Sequence, residues 1–228
     1  MGKFVQQRRK EVFVLMKFDD GIDKKYRDSV NAAFDTIMKV GDDEHKMYIG
    51  EILDSEMLIR VRPVSEVKAS GITGLISPVK ANYDLATERL SLRDALGLIY
   101  IAIAEETIDT GGQRGCEGTL VHEGRHAYDF AAMIESHSNA DMNPLGLLDP
   151  TLYDLEWNAH KAAGNYMLRV GKTDYLDEGV GLMILCNAAD GSCVVSDDGI
   201  RQRLNESYGL IADTKTGPLA TKMLGLIV

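Results

Sequence analysis

The run Leu120-Val-His-Glu-Gly-Arg-His-Ala-Tyr-Asp-Phe130 constrains the fold of this 228-residue chain more than any other stretch. Leu120, Ala127, Ala131 and Ile134 recur at helical spacing and predict an apolar stripe that has to be buried. His122 and His126 lie on another side of the same helix, four residues and therefore one turn apart. Two imidazoles placed this way can reach one Zn2+ at about 2.0–2.1 Å. Glu123 is rotated too far round the helix to be a good ligand, yet it stands near enough to hold a water on that ion and take its proton. Gly124 weakens the helix by about 1 kcal/mol relative to Ala. A packed helix tolerates that, and the missing side chain admits another element close by. The plainer reading of the same residues is a pair of histidines on a surface helix.

Two histidines do not complete a catalytic zinc site, which needs a third protein ligand and one position left for water. The candidates lie downstream, in residues 153–166. Glu156, Ala159, His160, Ala163 and Met167 share one helical face. Small side chains at 159 and 163 allow this helix to lie close against the first and carry Glu156 toward the histidines. His160, one turn on, competes for the same role, with Asp149 and Asp154 behind both.

His122-Glu-x-x-His126 followed by a helical Glu156 resembles the zincin metallopeptidases, specifically their glutamate-ligand (gluzincin) branch. The run Glu-x-x-Ala-His-x-Ala-Ala that begins at Glu156 is similar to the Glu-x-x-Ala pattern of small bacterial zincin-like peptidases, including effector and toxin domains. The matching residues span about 119–167. The resemblance implies a zinc endopeptidase that holds one Zn2+ and uses Glu123 as general base on a peptide or protein substrate. It also implies an upstream mixed sheet, an edge strand that receives extended substrate, and a cleft between sheet and helices. In larger gluzincins an Asp follows the ligand Glu by four residues, whereas here His160 stands there. Two other readings remain open: a degenerate, non-catalytic zincin-like binding domain, and a zinc hydrolase of a non-protein amide such as a cell-wall crosslink.

Supporting roles fall on fewer residues. Asp129 is placed to accept a proton from a ligand imidazole and fix its tautomer, or else is a solvated carboxylate. Tyr166, His160 and Arg125 are the candidates for stabilising an oxyanion. His45 and His137 sit in polar stretches and read as surface residues. Cys116 reads as packing at a helix start.

The remaining chain reads as a single α+β domain in two halves, about 1–110 rich in strands and about 111–228 helical. Strands are expected at 11–18, 46–53, 57–64 and 72–76, with a helix at 23–40. Residues 82–92 read as an exposed edge strand to which peptide would add, and 97–103 as a buried strand. A helix starting at the N-cap-like Ser91 fits nearly as well. Residues 111–115 read as a flexible loop. Helices are expected at 117–135, 152–170, 174–187 and 197–211.

Charge and cysteines narrow the partners. With 25 Lys+Arg against 35 Asp+Glu the formal charge is −10, a field that repels nucleic-acid backbones and anionic membranes. The apolar run at 12–16 is closed by Lys17 before it reaches signal-peptide length, and no stretch is long enough to span a bilayer. The chain therefore reads as cytoplasmic or as an effector delivered elsewhere, with its oligomeric state open. Three cysteines make no framework, and Cys186 and Cys193 read as reduced thiols ahead of a disulfide.

Overall fold

A computed structural model describes residues 17–142, 147–171, 183–212 and 217–228. It is an α+β fold: a small mixed sheet and a helical half. The sheet comprises β1 (Lys17–Phe18), β2 (Leu58–Arg62), β3 (Gly71–Leu75) and β4 (Ile99–Ala104), in the order β1-β2-β4-β3. β2 runs parallel to both β1 and β4, whereas β3 is antiparallel to β4 and forms an edge. Ile59, Val61, Ile99, Ile101 and Ile103 are buried in one core with Val30, Phe34 and Ile37 of α1 (Lys24–Val40). On the opposite face Ala102 and Ala104 cluster with Val67 of the short α3 (Val64–Val67).

The helical share of the first half exceeds the sequence reading. Residues 46–53, expected as a strand, lie within α2 (Asp43–Asp54). Asp42 accepts the His45 N–H and the His45 ring accepts the Asp42 N–H, a capping box that starts the helix. Tyr48, Ile49 and Ile52 then fall on one buried helical face. His45 is likewise no surface residue, because Ala162 and the neighbouring helix bury it. The expected edge strand at 82–92 is instead α4 (Pro78–Thr87), capped by Ser77 with Pro78 in its first turn. After it comes α5 (Leu92–Leu96), capped reciprocally by Ser91 and Asp94. The Ser91 alternative thus holds for residues 92–96, while the buried strand expected at 97–103 is present as β4.

The expected loop at 111–115 is part of α6 (Glu105–Ser138), which kinks at Gly112 (φ 60°, ψ −154°) and continues through the histidine motif. α6 packs against α1, α2, β3, β4 and α7 (Leu152–Arg169). The close approach at Gly124 is made by α2: a Cβ there would meet Ile49 Cδ1 at 3.1 Å and Ile52 Cδ1 at 3.2 Å. α7 starts at a Thr151–Asp154 capping box. Most of the strand expected at 11–18 and of the helix expected at 174–187 lies outside the described residues. Within the latter, Ile184–Cys186 is a strand, β5, paired with β6 (Cys193–Val195). Cys186 and Cys193 are joined by a disulfide across this hairpin, contrary to the reduced thiols expected. The hairpin leads into α8 (Asp197–Tyr208), and α9 (Ala220–Leu224) closes the chain. No helix among the described residues is long and apolar enough to cross a membrane.

Candidate metal centre

The α6 helix delivers His122 and His126 from one face, and α7 crosses it so that Glu156 meets them. His122 Nε2 and His126 Nε2 are 3.1 Å apart. Glu156 Oε2 is 3.5 Å from His122 Nε2, and Oε1 is 3.5 Å from His126 Nε2. Three ligand atoms, each about 2.0–2.1 Å from one tetrahedral ion, would stand about 3.3 Å from one another. Each imidazole nitrogen stands near that distance from the other and from one oxygen of the carboxylate, and one donor atom from each residue lies within 4.8 Å of the other two. Glu156 Oε2 and His126 Nδ1 are also buried without hydrogen-bond partners, and a buried carboxylate oxygen left so is costly unless something positive meets it. This group of three is therefore one that could hold a metal ion.

Electrostatics point the same way. Burial opposes ionisation of Glu156, but the two facing imidazoles outweigh it and hold the carboxyl well below the ordinary carboxylate range. His160 stands just outside the trio, its Nε2 3.7 Å from Glu156 Oε2 and its ring edge-on to His122. Burial, followed by the nearby His122, pushes its pKa down to about 3. It is neutral at neutral pH and packs beside the Glu156 carboxylate. Between the two candidates for third ligand, the geometry brings Glu156, not His160, into the group. Asp149 is engaged elsewhere, accepting from the Thr221 N–H and hydroxyl. Asp154 serves the cap of α7.

Glu123 lies beside the trio on a cavity of about 200 Å3. The Thr73 hydroxyl of β3 donates to its carboxylate at 2.8 Å. Gly71 and Thr73 of β3, the apolar Phe130, Leu155 and Met223, and Tyr208 also line this cavity.

The supporting residues are placed differently from the sequence reading. Asp129 does not meet a ligand imidazole: it accepts from Arg125 Nε at 3.1 Å to each oxygen and from Asn158 at 3.3 Å. Arg125, which also pairs with Glu44, is thereby held away from the cavity. Tyr166 is buried and its hydroxyl donates to Glu117 at 2.8 Å, so it does not reach the cavity either. The tyrosine that does is Tyr208, at the end of α8, which the sequence reading missed. Burial and the Glu156 charge push its pKa up, keeping the phenol a donor. Nothing local marks it, since it is 82 residues beyond His126 and meets the site only through the packing of α8 on α7. Cys116 is buried in α6, with its thiol pushed up to about 12, first by burial and then by Glu117. No family model, curated protein or solved structure matches this chain.

Proposed function

We propose that the protein is a zinc-dependent peptidase of zincin-like architecture, in which His122, His126 and Glu156 hold one Zn2+ and Glu123 is the general base. The observation that carries this reading is the convergence of three donor atoms from two helices, all within 4.8 Å of one another, beside a cavity that Glu123 also lines. Bound there, Zn2+ supplies Lewis acidity, polarising a carbonyl and lowering the pKa of water toward about 7. Glu123 takes the proton of the attacking water and returns it to the departing amine. Tyr208 takes the part for which Tyr166, His160 and Arg125 were the sequence candidates, donating a hydrogen bond from its phenol to the carbonyl oxygen as charge develops there. The edge that would receive an extended peptide is β3, which borders the cavity, and not residues 82–92, which are helical over most of their length. Main-chain hydrogen bonds along such an edge hold a peptide with little regard to its sequence.

Glu123→Gln tests the reading. The variant should retain zinc in the same ratio as the parent and lose cleavage of labelled casein by roughly 10^2- to 10^4-fold. Unchanged cleavage in that variant would remove Glu123 from the mechanism.

A further inference from the structure

Strand β3 is built around the side chain of Glu123. Alternation along the strand sends Gly71 and Thr73 to the same face, and both meet Glu123. A Cβ at Gly71 would stand 2.8 Å from Glu123 Cγ and 2.6 Å from Thr119 Cγ2, closer than real contacts come. The bare backbone at 71 is what lets the stem of Glu123 lie against the strand. Two residues on, the Thr73 hydroxyl sits 2.8 Å from Glu123 Oε2 and 3.0 Å from the Glu123 carbonyl oxygen. One hydroxyl is thus shared between the backbone and the carboxylate of the same residue. Glu123 is 6 % exposed, so little water competes for that bond.

We propose that Thr73 is a positioning residue for Glu123, holding the carboxylate at the cavity from the strand that would take up substrate. This rests on the reading of Glu123 as general base. A free glutamate side chain samples many rotamers, and a base that wanders by an ångström loses much of its effect. Because the anchor lies on the edge strand itself, main-chain pairing of substrate and placement of the base are referred to the same residue.

The test compares Thr73→Val, which keeps the shape and removes the donor, with Thr73→Ser, which keeps the donor; Thr73→Ala serves if the valine variant does not fold. In the full chain with zinc, Thr73→Val should lower kcat on labelled casein by roughly 10- to 100-fold, with KM and zinc content held. Thr73→Ser should recover most of the loss. The 13C carboxyl resonance of Glu123, assigned by its disappearance in Glu123→Gln, should move in Thr73→Val and stay in place in Thr73→Ser. An unmoved resonance in Thr73→Val, or parental kcat, overturns the proposal. If the parent protein cleaves nothing, the peptidase reading fails, and the resonance alone still decides whether Thr73 holds the carboxylate.

Discussion

His122 Nε2 and His126 Nε2 face each other at 3.1 Å, with the Glu156 carboxylate 3.5 Å from each. Two neutral imidazoles can share a proton at that distance, whereas two imidazolium ions would repel. A cation between the three groups satisfies all of them at once.

Metal analysis separates the ligands from their neighbour. His126→Ala and Glu156→Ala should lose zinc from the purified chain, and His160→Ala should keep it, because His160 lies outside the trio. With free zinc at about 100 times its dissociation constant, binding adds about 2.7 kcal/mol. Chelator should therefore lower the melting temperature of the parent by roughly 5–10 °C in a chain of this size and leave that of His126→Ala unchanged.

The two tyrosines should part cleanly. Tyr208→Phe should cut kcat by roughly 10^2-fold with zinc content and melting temperature held, since it removes a donor facing the cavity. Tyr166→Phe should leave cleavage intact and cost about 1–3 kcal/mol of stability, because it strips a hydrogen bond from the buried Glu117. Denaturant unfolding and steady-state kinetics on both variants distinguish these outcomes.

Gly124 marks where α2 presses on α6, the helix that carries His122 and His126. Gly124→Val should destabilise by about 1–3 kcal/mol through overpacking against Ile49 and Ile52. Gly124→Ala should be milder, because the atoms it meets are the ends of side chains and the helix gains propensity. Urea melts of the two variants give the comparison.

Cys116 gives a pH signature. Its thiol is pushed from 9.0 up to about 12 in the folded chain, so folding favours the neutral form. The stability this contributes is fully present below about pH 9 and is lost as pH rises toward about 12. Iodoacetamide at pH 9 should therefore leave Cys116 unmodified in the folded chain and alkylate it in urea, as mass spectrometry would record.

What the sequence determined by itself was local. Helical periodicity put His122 and His126 on one face and Glu156 on the face of a second helix, and short apolar runs at 57–64 and 97–103 marked β2 and β4. These signals arise within one or two turns or a single strand, where side-chain spacing and caps act directly on the backbone. They failed where a short apolar run suits either conformation, as at residues 46–53, whose helix depends on the Asp42–His45 cap and on packing against α6. They failed again at 82–92, where Ser77 and Pro78 start a helix. It took the tertiary structure to bring Glu156 rather than His160 into the group with the two histidines, to set Tyr208 rather than Tyr166 on the cavity, and to lay Thr73 against Glu123. Each of those outcomes depends on how two separate elements cross. Burial of apolar faces sets that crossing, through contacts far apart in the chain that no local pattern encodes.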